Sequence, residues 1–319
     1  MFKYITKRML GMLPTLFLVT IISYFVILMA PGDPTEYMLN PRTRPEDRQL
    51  MKENLGLNKP IIVQYGIWVK NLVTKGDLGF SMVNGRPVMQ SILERMPATL
   101  VLMGSAYILS LLISIPLGVV SAVKQYSFWD YLFTFLAFIG LSMPSFWLAL
   151  MSIYIFALKL GWLPTGGISS VYGANFFVHF FDFLKHLILP AFVLTVRNLA
   201  DWTRYLRSSM LEVINEDYIR TARAKGLSEF TVIYKHALRN ALLPVITLFG
   251  LSLPILVSGA FIIEHIFGWP GMGQLGMNAV FQRDYTILMG DILLSSVLVL
   301  VGNLLADIMY AWADPRIRY

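Results

Sequence analysis

Four predominantly apolar stretches of this chain run for more than twenty residues without a charged side chain, and nothing else in the sequence constrains its fold as strongly. Met9 to Ala30 spans 22 residues, Met96 to Val123 spans 28, Tyr131 to Leu158 spans 28 and Asn240 to Ile263 spans 24. About 20 apolar residues of helix cross a bilayer. In hydrocarbon the backbone must satisfy its own hydrogen bonds, so such runs fold as helices. Two further runs are shorter between charges. Leu187–Val196 continues with helical character past Arg197 and Asp201 to about Met210, and Ile292–Ala306 stays apolar to Trp312. The expectation is an all-α integral membrane protein with six transmembrane helices. No β-type alternation supports a barrel. Only 14% of the 319 residues are charged, against about 25% in soluble domains. That excludes a soluble enzyme and a disordered chain. There is no cysteine, so disulfide scaffolds, thiolate nucleophiles and Cys-based metal sites are excluded too.

The net charge of +7 reads as membrane sidedness rather than nucleic-acid binding. The N-terminus, the 124–130 turn, the 204–239 segment and the C-terminus together carry 13 Lys and Arg residues. The opposite short loops, 161–186 and 264–285, carry only Lys185 and Arg283. The basic side is assigned to the cytoplasm, which places both termini there in a multi-pass cell (inner) membrane protein. The N-terminal run follows Lys3, Lys7 and Arg8 as a signal peptide would. Its length and the lack of a clear small-residue cleavage site favour a retained anchor. Three parts are expected: residues 1–30 as N-terminus and first helix, 31–96 as a polar extracytoplasmic insertion, and 97–319 as a five-helix core with a cytoplasmic loop over 211–239. Helical patches are expected near 46–55 and 61–74. The aromatic stretch 176–183 is too short to span and reads as interfacial. Pro116, Pro144, Pro190, Pro244 and Pro254 fall inside spans, as plain kinks or as cavity-lining breaks.

The cytoplasmic loop carries the most specific signal. Asn215 to Gly226 reads as a complete short helix. Asn215 suits the N-cap, Glu216 and Asp217 the positive end of the dipole, and Arg223 and Lys225 the negative end. Gly226 suits the left-handed C′ position, and Ser228 can cap a second helix running into the fifth span. A rigid helix at the membrane face can transmit force.

Asp217-Tyr-Ile-Arg-Thr-Ala-Arg-Ala-Lys-Gly226, followed by Lys235-His-Ala-Leu-Arg-Asn-Ala-Leu-Leu-Pro244, resembles the EAA loop of ABC-importer permeases, in the dipeptide/oligopeptide/nickel group. Further matches are Ala30-Pro-Gly-Asp-Pro34, Gly76-Asp-Leu-Gly79, Pro97-Ala-Thr-Leu100, Pro144-Ser-Phe146, Arg204 with Arg207-Ser-Ser-Met210, Pro270-Gly-Met-Gly273, Arg283-Asp-Tyr285 and Asp314-Pro-Arg316, so the resemblance covers essentially the whole chain. It implies the type I ABC importer permease fold, with an EAA helix docked in a groove of an ATP-binding subunit. The matching ATPase-coupling residues are Asp217, Tyr218, Arg220, Thr221, Ala222, Arg223, Ala224, Lys225, Gly226 and Leu227. Where the general EAA pattern has Glu-Ala-Ala this chain has Arg220-Thr221-Ala222, so the general loop's acidic contact does not transfer. The resemblance further implies a second homologous permease subunit, one or two ATP-binding subunits that hold ATP and magnesium, an extracytoplasmic solute-binding protein, a peptide substrate and surrounding membrane lipid. Nickel or another small solute of the same group is the alternative cargo. No cofactor is expected on this chain: the Walker pattern needs Gly-Lys, and that dipeptide is absent.

Arg197 and Asp201 fall near mid-bilayer, where a charge costs about 2.5–3.5 kcal/mol on insertion scales. Four residues apart on a helix, they can pair structurally. Alternatively they are cavity charges that meet a peptide terminus, and Ser142 and Pro144 join them as translocation-path candidates. An ATP-independent secondary transporter would need this pair as its coupling charges. Arg204 and Arg207 read as headgroup-level anchors. Gly271-Met-Gly273-Gln-Leu-Gly276 fits G-x-G-x-x-G without the preceding strand a nucleotide site needs. Ser121-Ala-Val-Lys124 is an isolated S-x-x-K. His179, His186, His236 and His265 show no metal-ligand spacing and read as interfacial or structural.

Overall fold

A computed structural model describes residues 2–29, 58–171, 173, 175–242, 244–246, 248 and 260–313. Most of the fifth expected span lies outside them, as do the expected patch at 46–55 and the motifs at 30–34 and 314–316. Helix α1 is Phe2–Met29, α2 Ile61–Lys75, α3 Val88–Val123, α4 Phe128–Ser142 and α5 Ser145–Ser152, the last continued by a π-helical stretch Ile153–Lys159. Helix α6 is Phe176–Ile214, α7 Asp217–Ala224 and α8 Glu229–Thr231, with a second π-helical stretch at Val232–Ala237. Helices α9 Phe261–Ile266, α10 Met272–Gln282 and α11 Tyr285–Ala313 complete the chain. Among the described residues α1, α3, α6 and α11 are long and apolar enough to cross a membrane. Helices α4 and α5 are long and apolar enough only when taken together, as a pair bent by 100° at Met143–Pro144.

Three boundaries differ from the expectation. The second span begins at Val88, inside the stretch read as insertion. The charges there are neutralised at the surface: Arg86 grips Glu94 with two hydrogen bonds of 2.7 and 2.9 Å, and Arg95 donates to Gln274 at 3.0 Å. The fourth span begins at Phe176, so the aromatic stretch 176–183 is its first two turns. Pro190 sits inside that helix without ending it. The third span is broken. Pro144 supplies no N–H and disfavours helical backbone before it, and Met143 is extended at φ −80°, ψ 124°.

Helices α3 and α6 form the most extensive contact in the described residues. Lipid tails offer no hydrophobic drive between helices, so small residues and shared hydrogen bonds must hold such a pair. Both are present. Thr195 Oγ1 donates to Ala191 O at 2.7 Å and approaches Ala106 O at 3.3 Å, and Ser110 Oγ approaches Thr195 O at 3.3 Å. Trp202 meets Tyr107 edge-on at 5.3 Å. At Gly118 a Cβ would stand 2.9 Å from Leu206 Cβ, so nothing larger fits. Helix α1 lies at the periphery. An Arg8–Asp307 ion pair of 2.6 Å ties it to α11, and a Thr20–Tyr65 hydroxyl contact of 3.0 Å ties it to α2.

Gly118→Val is expected to force α3 and α6 apart, at the roughly 1–3 kcal/mol typical of overpacking. A thermal-shift measurement on the purified protein checks this, with a Tm several degrees lower as the expected result.

Candidate functional site

At its C-terminal end, α6 stops at Ile214 and the chain turns sharply into α7. Asn215 does not cap α7. Its amide donates back to Leu211 O at 2.8 Å, closing the end of α6. Glu216 takes the N-cap position without a side-chain cap bond. Gly226 ends the turn at φ +73°, and Ser228 Oγ accepts from Thr231 N at 3.4 Å to cap α8. Helix α7 is sharply two-faced. Ile219 and Ala222 are buried against Leu206 and Met210 of α6, Val119 and Ala122 of α3, and Val232, Ala237, Ala241 and Val245 beyond α8. The other nine coupling candidates, Asp217, Tyr218, Arg220, Thr221, Arg223, Ala224, Lys225, Gly226 and Leu227, are exposed. Arg220 meets Asp217 at 3.3 Å, Arg223 meets Glu229 at 2.9 Å, and Asn240 donates to the Tyr218 hydroxyl at 2.8 Å. The segment is therefore a fixed plate: apolar side on the bundle, polar side outward.

The break at Pro144 opens a cavity of about 430 Å³ between α4, α5 and α6. Ser142, Pro144, Arg197 and Asp201 all line it, together with Gly140 and Val193. The Arg197–Asp201 pair is not formed. Asp201 Oδ1 faces Arg204 Nη2 instead, at 3.8 Å, and Arg197 is exposed with no polar partner among the described residues. Residues 197 and 201 share a face of α6 and both line the cavity, but Asp201 is turned to Arg204 rather than to Arg197. Ser142 Oγ is spent on Phe138 O at 2.8 Å.

Arg207 is not a free surface cation. Its Nε and Nη2 donate to Asp130 Oδ1 and Oδ2 at 2.7 and 2.8 Å, and Asp130 also accepts from Tyr126 N at 3.0 Å. The Asp130 side chain is 4% exposed. A bidentate pair of this geometry is among the stronger polar contacts a protein makes, and it fastens the α3–α4 turn to α6.

Several motifs scattered along the sequence converge at the opposite end of the bundle from α7, around two buried acids that no local pattern announces. Glu264 is fully buried. It accepts from Thr99 Oγ1 at 2.9 Å, Gln274 N at 3.1 Å and Ala260 N at 3.4 Å, while Thr99 Oγ1 accepts from Met272 N at 2.7 Å. Glu264 thus places a carboxylate at the positive end of α10. The G-x-G-x-x-G glycines exist for this packing. A Cβ at Gly273 would lie 2.7 Å from Phe261 Cα, and one at Gly276 2.8 Å from Asp291 Oδ2. Asp284 is buried likewise. It holds the 81–83 turn through Ser81 Oγ and through Met82 N at 3.1 Å, and caps α11 through Ile287 N at 3.2 Å. His186 is structural. Its Nδ1–H donates to Asp182 O at 2.8 Å, which leaves Nε2 to accept from Ser170 at 2.9 Å.

The comparisons with known proteins agree with this geometry. Residues 114–319 match the family described as binding-protein-dependent transport system inner membrane component, and residues 1–103 match its N-terminal companion. The chain belongs to this permease family. It is 50% identical over 320 residues to the oligopeptide transport system permease protein AppB of Bacillus subtilis, covering both chains completely. It is 42% identical over 334 residues to the dipeptide transport system permease protein DppB of Alkalihalophilus pseudofirmus, again covering both completely. Identity is 38% over 319 residues, the full length of both, to the glutathione transport system permease protein GsiC of Escherichia coli K12. An inward-facing structure of the MetNI methionine ABC transporter matches 71% of this chain and 97% of its own at TM-score 0.55 and 18% identity, which shows a shared fold. This permease is thus an all-α, multi-pass inner membrane component of a binding-protein-dependent importer.

Thr99→Val strands the buried Met272 N–H and one Glu264 contact, a loss of about 1–3 kcal/mol. The expected result is a lower Tm for the purified permease.

Proposed function

We propose that this permease forms one half of the pore of an ATP-driven importer of dipeptides or oligopeptides. Full-length similarity to oligopeptide and dipeptide permeases supports the substrate class, and one structural observation carries the path. The broken third span opens a cavity beside Arg197 and Asp201. An exposed charge at mid-bilayer is expensive in lipid, so this face is turned to water or to a second permease. A peptide brings one carboxylate and one ammonium group. Arg197 offers a guanidinium to the first and Asp201 a carboxylate to the second.

The plate over 215–227 docks on an ATP-binding subunit. ATP and magnesium sit in that subunit, and an extracytoplasmic solute-binding protein delivers the cargo. Both termini and the 204–239 segment face the cytoplasm, following the basic-residue count. Closure of the ATP-binding subunits pushes α7, and the buried contacts of Ile219 and Ala222 carry that push into α3 and α6. The pore then alternates between inward and outward access.

Uptake of a labelled dipeptide or oligopeptide by proteoliposomes holding the complete transporter tests the reading. ATP dependence and loss with vanadate are expected. Arg197→Gln removes one charge-assisted hydrogen bond to the peptide, about 1.5–3 kcal/mol, so uptake is expected to fall at least tenfold while ATP hydrolysis persists. Undiminished uptake by this variant would dismiss the cavity-charge role.

A further inference from the structure

A second cavity, of about 300 Å³, lies at the other end of the α4–α6 groove, near the basic face. It does not depend on what the transporter carries. Its outer wall is one face of α4: Tyr131, Thr134, Phe138 and Leu141. Its inner wall is Ser121 at the end of α3 with Ala200, Thr203 and Arg204 of α6. Two observations single it out. Thr203 is 4% exposed, and its hydroxyl has no hydrogen-bond partner among the described residues. A buried hydroxyl without a partner costs free energy that a ligand acceptor would relieve. Ser121 lines the same wall; its buried hydroxyl lies beside the Asp130 carboxylate without completing a hydrogen bond of normal geometry among the described residues.

Two arginines stand at the mouth. Arg207 is consumed by Asp130; Arg204 is exposed, and its partners among the described residues are Asp201, in a loose ion pair at 3.8 Å, and the Tyr205 ring. Beside it Tyr126 stands exposed in left-handed backbone, φ +61°, its amide fixed by Asp130. From Asp130 to Leu141, α4 rises about 16 Å, near half of the ~30 Å hydrocarbon core. The cavity therefore has the depth of one leaflet, a cation at headgroup level and apolar side walls.

We propose that this cavity is a seat for an anionic phospholipid of the basic-side leaflet. Arg204 takes the phosphate. An ester oxygen accepts from Thr203, and one acyl chain lies along Phe138 and Leu141. A lipid fits better than a free phosphate because the cation is a small part of a long apolar wall.

Photolabelling of the complete transporter in nanodiscs tests it, using phosphatidylglycerol or phosphatidylcholine with a diazirine on the acyl chain and mass-spectrometric mapping of adducts. Phosphatidylglycerol is expected to label residues 131–141 and 200–207 about fivefold more than phosphatidylcholine, the preference one basic residue supplies. Arg204→Gln is expected to bring the two lipids level, and Ala137→Trp, which fills the cavity, to remove label from both. If Ala137→Trp fails to assemble, Arg204→Gln, at an exposed position, decides alone. Equal labelling in the unaltered protein, or a preference that survives Arg204→Gln, overturns the proposal. Displacement of the phosphatidylglycerol label by millimolar inorganic phosphate overturns it in favour of a free-phosphate site.

Discussion

The crossing of α3 and α6 is the contact on which the rest of the described structure hangs. Gly118 lets Leu206 in, and Ser110, Thr195 and Ala106 share hydrogen bonds across the seam. In lipid this combination of close approach and mutual satisfaction of polar groups replaces the hydrophobic drive of a soluble core. Each other functional part is attached to one of these two helices. Asp130–Arg207 fastens α4 to α6, Val193 and Leu189 of α6 receive Ala149 of α5, and Leu206 and Met210 receive Ile219 of α7. The cavity at Pro144 exists because α4 and α5 are held on α6 separately, on either side of a break that proline makes obligatory.

This arrangement explains how an inert-looking bundle can serve a moving machine. The polar side of α7 faces outward while Ile219 and Ala222 are enclosed, so the segment is too tightly seated to shift without moving α3 and α6. The same helix α6 lines the cavity with Arg197 and Asp201, about two turns and one turn respectively from Arg204. A displacement at one end of a packed helix arrives at the other, because close-packed interiors transmit strain.

Much of this was legible in the sequence. Charge-free runs mark α1, α3, α4–α5 and α11 because a charge in hydrocarbon is expensive. Gly226 and Ser228 are where turn chemistry puts them. Pro144 reads as a plain kink or a cavity-lining break, and only the structure distinguishes the two by a 100° bend. What stayed hidden depends on distance in sequence. The start of α3 at Val88 could not be read from hydropathy, since Glu94 and Arg95 are neutralised by Arg86 and Gln274. Arg207 resembles any basic residue at a membrane edge until Asp130, 77 positions away, is seen to hold it. Glu264 and Thr99 meet across 165 residues. The expected Arg197–Asp201 pair failed for a related reason. Helical spacing puts two residues on one face, but it does not decide which neighbour each head turns to, and Asp201 turns to Arg204.

The central claim is that force passes from α7 into the bundle through its buried face, separately from docking on its exposed face. Ile219→Ala in the complete transporter tests this most directly, with subunit content, ATP hydrolysis and peptide uptake measured on the same proteoliposomes. Truncating this enclosed side chain leaves a void at the plate's seat and its outer surface unchanged. The account predicts retained ATP-binding subunits and continued hydrolysis with uptake reduced about tenfold, the loss that some 1.4 kcal/mol of weakened coupling would give. Uptake that stays in proportion to hydrolysis would contradict it.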